Sequence, residues 1–256
     1  MRVLVTGGTG VLGREIAGKG WEAGHSIRIT SRRPRSSKIP EYVEHFQTDL
    51  QTGDGLKESL KGIDVVVHAA SDPKNTETVD VEGTRKLITA AREARIRHLI
   101  FVSIVGIDRI PFPYYQGKLS AERVIAESGL SYSILRATQF HSFIDFLLNK
   151  ANRFPFVLPL PSGFHVQSVA TEEVADRLLR AVHQGPHGML RDFAGPEPMT
   201  LARAASEWKA ARRLGKVILP VPAPGSAASA FRRAYNTAPG GELGKVTWKS
   251  WLSSKY

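Results

Sequence analysis

The feature that most constrains the fold of this chain is a glycine-rich turn close to its first residue, Thr6-Gly7-Gly8-Thr9-Gly10-Val11-Leu12-Gly13. It follows a short apolar run, residues 2–6, that predicts a strand, and it leads into an apolar-periodic stretch, Val11–Ala23, that predicts a helix. Glycines in such a turn let the backbone approach a pyrophosphate, and the N–H groups at the start of the helix can donate to it. The turn therefore predicts a dinucleotide-binding site, although a tight strand-to-helix turn without a ligand would use the same residues.

Short apolar runs alternate with stretches of helical length after this turn, which is typical of parallel βαβ units. Further strands are predicted at Ile27–Thr30, Val43–Phe46, Ile63–His68, Leu99–Ser103 and Tyr132–Leu135, and further helices at Val79–Ala94 and Tyr114–Glu127. We therefore expect an α/β fold: a Rossmann-type doubly wound parallel sheet with a small C-terminal substrate-binding portion.

The later part of the chain is less regular. Thr171 and Thr200 are predicted to begin helices, whereas the proline-punctuated segment Phe154–Pro161 is predicted to be a loop that lines a pocket. No linker separates two halves, so we expect one Rossmann domain, residues 1–256, in which about 139–170 and 186–256 contribute the substrate-binding portion.

Composition excludes several kinds of chemistry. The chain has no cysteine, which rules out disulfides and cysteine nucleophiles, and no cluster of His or acidic residues has metal-ligand spacing, so no metal is expected. The formal net charge of +11 is spread along the chain without a basic-aromatic motif, so no nucleic-acid partner is expected. The first residues lack a signal-peptide pattern and no run is long enough to span a bilayer, so we expect a cytoplasmic protein without a membrane partner.

The spacing of the turn glycines resembles the T-G-x-x-G-x-x-G turn of the short-chain dehydrogenase/reductase superfamily. Asp49-Leu50, His68-Ala69-Ala70 and Val81-Glu82-Gly83-Thr84 look like extended or atypical members of that superfamily. The closest resemblance is to the NmrA-like NAD(P)H-binding proteins, and it rests on Val102-Ser103-Ile104-Val105-Gly106, Tyr114-Tyr115-Gln116-Gly117-Lys118 and Leu135-Arg136-Ala137-Thr138-Gln139-Phe140. It covers nearly the whole chain.

The resemblance implies a cofactor site built from several strand-to-helix turns. The three turn glycines would line the pyrophosphate, Asp49 with Leu50 would contact the adenine, and Ala69 would lie beside the ribose or nicotinamide. The complete predicted cofactor set is Thr6, Gly7, Thr9, Gly10, Val11, Leu12, Gly13, Ser31, Arg32, Arg33, Asp49, Leu50, Ala69, Ala70 and Lys118. From the residues alone, Asp49 could equally be an ordinary strand-end carboxylate, and His68 a buried histidine without a catalytic role.

The choice of cofactor is predicted from the end of the second strand. NAD-using folds carry an acidic residue there that binds the ribose 2′-hydroxyl, whereas an arginine accommodates a 2′-phosphate. This chain has Ser31, Arg32 and Arg33 in place of the acid. Two guanidinium groups favour a phosphate, so NADP is expected rather than NAD, with Arg14 as a second candidate for the same phosphate. The alternative is a solvated basic loop.

Tyr114 and Lys118 are four residues apart, so on a helix they share one face, where an ammonium can lower the pKa of a phenol. This pairing suits proton transfer during the reduction of a carbonyl. By the resemblance, Ser103 positions the substrate, Tyr114 donates the proton and Lys118 is its electrostatic partner. Asp80 stands about where extended members carry an asparagine. The alternatives are a merely packed Tyr114 with a solvated Lys118, or a one-residue shift of the role to Tyr115.

Aromatic side chains are frequent in the segments expected to shape the substrate pocket. These are Gln139, Phe140 and Phe143 after the sixth strand, Phe154–Phe164, and Phe231–Tyr235 in the tail. We therefore expect an NADP-dependent oxidoreductase that reduces a small, apolar carbonyl, quinone-like or other unsaturated substrate, and that is a monomer or homodimer. The alternative function is a non-catalytic NADP-sensing regulatory protein that binds a protein partner.

Overall fold

Strands and helices alternate along most of the chain in a computed structural model that describes residues 1–256. The strands are β1 (Arg2–Thr6), β2 (Ser26–Ser31), β3 (Glu44–Gln47), β4 (Val65–His68), β5 (His98–Ile104), β6 (Tyr132–Ala137), β7 (Val157–Pro161), β8 (His165–Val166), β9 (Gly188–Met189), β10 (Phe193–Ala194), β11 (Met199–Thr200), β12 (Val217–Val221) and β13 (Glu242–Leu243). The helices are α1 (Val11–Glu22), α2 (Leu56–Leu60), α3 (Gly83–Glu93), α4 (Pro113–Ala126), α5 (His141–Ala151), α6 (Thr171–Gln184), α7 (Leu201–Ala211), α8 (Ser226–Arg232) and α9 (Trp248–Lys255).

The chain passes back and forth between two compact units. Unit 1 comprises Met1–Ser103, Pro113–Leu135 and Val174–Leu190. Unit 2 comprises Ile104–Phe112, Arg136–Glu173 and Arg191–Tyr256. Each unit is therefore assembled from three separate stretches of the chain.

Unit 1 is built on a sheet whose strands run in the order β3-β2-β1-β4-β5-β6, with parallel pairing of β1 to both β2 and β4. The short strand β9 pairs in parallel with β6. Val3, Leu4 and Val5 of β1 are fully buried, as expected for a central strand covered on both faces. The strand order reverses between β1 and β4, and open α/β sheets bind ligands at the carboxyl ends of the strands beside such a reversal. The predicted Rossmann-type sheet is confirmed.

The predicted helix Val79–Ala94 differs from the structure at its start. A π-helix, Glu77–Glu82, comes first and α3 follows directly from Gly83. Val79, Asp80 and Val81 are all buried, although three successive residues of a regular surface helix would span more than its buried face. The wider turn thus brings a carboxylate, that of Asp80, into the interior of unit 1.

Unit 2 has its own core around two buried tryptophans, Trp208 of α7 and Trp248 of α9. The Trp208 Nε1 donates to the Asp145 carboxylate at 2.7 Å, and the Trp248 Nε1 donates to the Ala204 carbonyl oxygen at 2.9 Å. Both indoles therefore bury their rings without leaving a donor unpaired. Three short pairings complete the unit: β8 with β11, β7 with β12, and β10 with β13.

The prediction of a loop at Phe154–Pro161 is wrong for its second half. Val157–Pro161 forms β7, which pairs in parallel with β12 so that Pro159 lies opposite Leu219 and Pro161 opposite Val221. Proline cannot donate to a strand ladder and is therefore confined to edge strands. Because this sheet has only two strands, β7 is an edge strand and tolerates both prolines.

Two helices begin where the sequence predicts, and one of the two predicted caps is present. The Thr200 side chain accepts from the Arg203 N–H at 3.2 Å at the start of α7, and α6 begins at Thr171. The tail, residues 220–241, contains α8.

No helix of this chain combines the length and the hydropathy needed to cross a bilayer.

Candidate cofactor-binding and active site

The turn between β1 and α1 has the close contacts that its glycines permit. Gly7 has a φ of +66°, and a Cβ there would lie 2.8 Å from the Ala70 Cα. A Cβ on Gly13 would lie 2.3 Å from the Gly7 carbonyl oxygen, so only glycine lets α1 begin against the turn. Gly10 is the N-cap residue and offers no side-chain cap. The N–H groups of the first turn of α1 therefore remain available to an anion.

A cleft of about 240 Å³ opens beside this turn within unit 1. It is lined by ten residues of the predicted cofactor set: Thr6, Gly7, Thr9, Gly10, Ser31, Arg32, Asp49, Leu50, Ala69 and Ala70. Five further lining residues were not predicted: Thr30, Thr48, Ser71, Asp72 and Val79. Val11, Leu12, Gly13, Arg33 and Lys118 lie outside the lining. The cleft thus joins the carboxyl ends of β1, β2 and β4, and its open glycines, helix N-terminus and arginine fit an anionic dinucleotide.

Only some of the arginines near β2 are available to a ligand. Arg28 is bound to the Glu44 carboxylate at 2.7 Å, and Arg35 donates to the backbone carbonyl oxygens of residues 40 and 43. Both side chains therefore stabilise the fold and are already occupied by partners within the protein. Arg32 and Arg33 are exposed, and Arg32 lines the cleft.

Arg32 reaches an acid that the sequence did not single out. Its Nη2 lies 3.4 Å from Asp72 Oδ2, and the Arg32 side chain is 58% exposed. A hydrogen bond from the Asn75 amide, a second from the Lys74 N–H and the charge of Arg32 hold the pKa of Asp72 below its usual value. A long, exposed ion pair contributes little stability, so the Arg32 guanidinium can turn to a bound phosphate at small cost.

Two other predicted cofactor residues form hydrogen bonds that stabilise the loops at the ends of their strands. The Ser31 hydroxyl donates to the Arg33 carbonyl oxygen at 2.9 Å and lies 2.9 Å from His45 Nε2. Asp49 Oδ1 accepts from the Gln51 N–H at 2.7 Å. Both residues line the cleft, so these bonds shape its wall.

Around Tyr114, four polar side chains of unit 1 form one connected row. The Tyr114 hydroxyl lies 2.9 Å from Ser71 Oγ, which donates to Asp80 Oδ1 at 2.5 Å. The same Asp80 oxygen lies 3.7 Å from Lys118 Nζ. Because the single hydroxyl hydrogen of Ser71 is directed to Asp80, the phenol of Tyr114 donates to Ser71. Asp80 and Lys118 are both buried.

The electrostatics of this row differ from the sequence argument. Burial raises the pKa of Tyr114 to about 12, although its hydrogen bond to Ser71 opposes the rise. Burial lowers the pKa of Lys118, and the Asp80 carboxylate opposes that change. Lys118 Nζ also lies 4.1 Å from the centroid of the Phe101 ring. The ammonium therefore balances the charge of Asp80, and Ser71 is the group that stabilises a Tyr114 phenolate.

Ser103 lies near the end of β5, and its hydroxyl is buried without a hydrogen-bond partner. Leaving a buried hydroxyl unpaired costs about 1–3 kcal/mol, so such groups in native proteins call for a reason. A hydroxyl kept free to bind a substrate oxygen is one such reason. This observation is compatible with the role that the resemblance implies for Ser103.

His68 is fully buried at the end of β4 between two threonines. Its Nδ1 lies 2.7 Å from Thr6 Oγ1, and its Nε2 lies 3.0 Å from Thr84 Oγ1. Burial lowers the pKa of His68 to about 3, so the ring is neutral. His68 therefore links β1 to α3 as a polar bridge, and the prediction that it is buried is confirmed.

The predicted substrate residues lie in unit 2 around the start of α5. Gln139 Nε2 donates to the Asn236 carbonyl oxygen at 3.3 Å, and its Oε1 is buried without a partner. Phe140 is the N-cap residue of α5, and Phe143 is exposed in the first turn. In the same unit the rings of Phe164 and Phe231 stack at 5.3 Å.

Comparison with known families gives one match that covers most of the chain. Residues 7–184 match the family described as NAD(P)H-binding. The chain belongs to this NAD(P)H-binding family. The matched residues include the turn from Gly7 to Gly13, every residue of the cleft lining except Thr6, and the row from Tyr114 to Lys118. The prediction of a nucleotide-binding Rossmann protein is confirmed.

Two curated relatives of this NAD(P)H-binding chain have different described roles. A photosystem II assembly factor from Cyanophora paradoxa is 31% identical over 147 residues, which are 55% of this chain and 46% of the relative. A (4-alkanoyl-5-oxo-2,5-dihydrofuran-3-yl)methyl phosphate reductase from Streptomyces griseus is 31% identical over 143 residues, 55% of this chain and 48% of the relative. The chain thus spans about half the length of these relatives.

Solved structures of similar fold cover nearly the whole chain. An NADPH-dependent quinone oxidoreductase from Escherichia coli, complexed with NADPH, superimposes with a TM-score of 0.82 at 17% identity and covers 99% of both chains. A nucleoside-diphosphate-sugar epimerase from Staphylococcus aureus superimposes with a TM-score of 0.79 at 18% identity and covers 99% of this chain and 100% of the other. At such identities the likeness shows a shared fold.

Proposed function

We propose that this chain is an NADP-dependent oxidoreductase that reduces a small, apolar carbonyl or quinone-like substrate. The observation that carries the proposal is the row from Tyr114 through Ser71 to Asp80 and Lys118, in which Ser71 also lines the cofactor cleft. A merely packed tyrosine would not need a hydroxyl, a buried carboxylate and a buried ammonium arranged behind it. The reductase among the relatives and the quinone oxidoreductase of similar fold support the reaction class.

The cofactor is proposed to lie along the cleft with its pyrophosphate at the first turn of α1. Arg32 and Arg33 would bind the 2′-phosphate, Asp49 with Leu50 would border the adenine, and Ala69 with Ala70 would border the ribose or nicotinamide. When bound, the reduced nicotinamide supplies a hydride to the substrate carbon.

Tyr114 is proposed to donate its proton to the substrate oxygen, so that hydride and proton together convert a carbonyl into an alcohol. The Ser71 hydroxyl then turns its hydrogen from Asp80 to the phenolate oxygen, which stabilises the anion until solvent returns the proton. Lys118 keeps the Asp80 carboxylate neutralised, which limits its repulsion of the phenolate. The free hydroxyl of Ser103 would hold the substrate oxygen.

The substrate class is proposed from unit 2, where Phe140 and Phe143 accompany a single amide, that of Gln139, at the start of α5. These residues supply few hydrogen bonds, so many hydroxyl groups of a bound sugar nucleotide would lack a partner. In a screen of NADPH oxidation, quinones and aromatic or alicyclic ketones should react in preference to sugar nucleotides. Turnover confined to a sugar nucleotide would contradict this assignment.

The cofactor preference is tested by titrating the protein with NADPH and NADH. NADPH should bind more tightly, and the joint replacement Arg32→Ala with Arg33→Ala should remove most of the difference, a loss of about 1–3 kcal/mol of charge-assisted bonding. Arg35→Ala is the matched control, because Arg35 donates to backbone carbonyls and not to the cleft. Equal affinities in the unmodified protein would count against the proposal.

The proton donor is tested by Tyr114→Phe with any substrate that supports NADPH oxidation. Turnover should fall by roughly 10²–10⁴-fold while NADPH affinity stays nearly unchanged. Tyr115→Phe is the matched control, since the neighbouring ring tests a shift of the role by one residue. A larger loss in the control would move the donor to Tyr115.

A second function, NADP-dependent binding of a protein partner without turnover, is favoured by one observation, the 31% identity to the photosystem II assembly factor. NADPH binding with no NADPH oxidation across the screen would support this second function. Measurable oxidation that depends on Tyr114 would support the first.

A further inference from the structure

Phe156 combines two unfavourable features, an exposed aromatic ring and a left-handed backbone. Its side chain is 84% exposed, and its φ is +59°, in the left-handed region that disfavours residues other than glycine and asparagine. Phe154, two residues earlier, is 55% exposed. Strained backbone that carries an exposed aromatic ring points to a binding role for the ring.

The sheet of β7 and β12 extends this apolar surface. Val217, Leu219 and Val221 alternate along β12 and are exposed, so they share the outer face of the sheet. Their partners in register on β7 are Val157, Pro159 and Pro161, which lie on the same face. A sheet with one solvated face normally carries polar residues there, whereas this one is apolar on both faces. We call the outer face of this sheet, together with Phe154 and Phe156, the apolar face.

The chain segments that contain the two strands carry charge of one sign. Residues 146–171 and 208–241, which contain β7 and β12, include no Asp or Glu but two and six Lys or Arg respectively. Arg153 and Arg213, which precede β7 and β12 by four residues each, are exposed. Lys216 Nζ donates to the Phe154 carbonyl oxygen at 2.7 Å, which fixes the aromatic segment to the start of β12. Apolar side chains and positive charge are therefore presented together.

We propose that the apolar face docks this protein on an anionic lipid surface. Exposed aromatic and branched side chains enter the boundary between headgroups and acyl chains, while surrounding Lys and Arg bind headgroup phosphates. A second copy of the chain would oppose two equally positive rims in a symmetric dimer, which disfavours self-association. The protruding rings of Phe154 and Phe156 suit insertion into a soft interface better than docking of a peptide, which needs a groove.

This inference goes beyond the proposed function, because it uses no residue of the cofactor cleft. It also departs from the sequence expectation of no membrane partner. That expectation rested on patterns that are continuous in the sequence, whereas the apolar face is assembled from strands about 60 residues apart in the chain.

The proposal is tested by vesicle flotation of the full chain. The protein should float with phosphatidylcholine vesicles that contain about one third phosphatidylglycerol, bind pure phosphatidylcholine weakly, and lose binding as salt is raised. Phe154→Ser with Phe156→Asn should weaken partitioning by about tenfold or more, since two rings no longer insert. Asparagine suits the left-handed backbone at position 156, so the variant should fold. Arg153→Gln with Arg213→Gln should reduce the preference for anionic vesicles.

Met189→Gln is the matched control, because Met189 is an apolar side chain that is 51% exposed and belongs to unit 1, not to the apolar face. It should leave flotation unchanged, and NADPH should raise the melting temperature of every variant by the same amount as that of the unmodified protein. No flotation of the unmodified protein, or equal flotation of the double phenylalanine variant, would overturn the proposal. Sedimentation as a dimer that this variant converts to a monomer would assign the apolar face to a second copy instead.

Discussion

Gly13 and Gly18 lie in the same helix, α1, yet a methyl group would meet different surroundings at each. At Gly13 it would lie 2.3 Å from a backbone oxygen, whereas at Gly18 it would meet nothing within 4 Å. Glycine at position 13 is therefore required by contact with the turn. Glycine at position 18 only lowers helix propensity.

Alanine should consequently have opposite effects at the two positions. Gly18→Ala should raise the free energy of unfolding by about 0.5–1 kcal/mol, because it adds helix propensity without a clash. Gly13→Ala should lower it and weaken NADPH binding, because α1 must move away from the turn. Urea unfolding and NADPH titration of both variants check this. A stabilised Gly13→Ala that binds NADPH normally would contradict it.

The turn glycines could be predicted because their spacing encodes a local backbone requirement. Ser71 and Asp72 could not be predicted, because their roles depend on partners that are distant in sequence. Ser71 meets Tyr114, 43 residues away, and Asp72 meets Arg32, 40 residues away. Only the parallel packing of β4 beside β1 and the placement of α4 bring these pairs together. The predicted roles of Ser103, Tyr114 and Lys118 stay predictions.

At the scale of elements, the π-helix Glu77–Glu82 and β7 are two segments to which the sequence patterns assigned a different structure. A π-helix uses the same residue types as an α-helix, so the sequence pattern of Val79–Ala94 does not distinguish the two. The residues of β7 are apolar on both faces, so the sequence lacks the apolar-polar alternation of a half-buried strand. Two of its five residues are prolines, which are rare in strands. Its pairing with β12 arises from tertiary structure.

The π-helix places Asp80 against Lys118, so Asp80→Asn should leave a buried ammonium without its partner. The free energy of unfolding should fall by about 3 kcal/mol near neutral pH. The pKa of Lys118 is already lowered by burial in the folded state, so the unfolded state binds more protons and stability rises as pH rises. Without Asp80 that folded pKa falls further, so the deficit of the variant should shrink toward about pH 10.

Urea unfolding of Asp80→Asn at several pH values measures this deficit. Asp54→Asn is the control, because Asp54 is exposed, and it should show little change at any pH. A deficit that grows toward alkaline pH would mean that Lys118 is not the group responsible.

At the scale of the whole molecule, the dominant electrostatic property is the net charge of +11. Self-repulsion of a chain with such an excess destabilises its compact state, and salt screens that repulsion. The melting temperature at pH 7 should therefore rise as sodium chloride increases from about 0.01 to 0.2 M. Near pH 10, close to the sequence isoelectric point of about 10.0, the rise should disappear. Calorimetric melts at both pH values check this, and a fall with salt at pH 7 would contradict it.

The division of each unit into separate stretches has a consequence for biosynthesis. The last stretch of unit 1, Val174–Leu190, supplies β9 beside β6, and its Leu179 lies close to Gly20 of α1. Residues 136–173, which belong to unit 2, leave the ribosome before that stretch does. Unit 1 therefore cannot be completed until Leu190 has been made, and unit 2 cannot be completed without the stretch that follows it, which prolongs the exposure of apolar strands to chaperones. For the same reason, no single cut in the chain releases either unit intact.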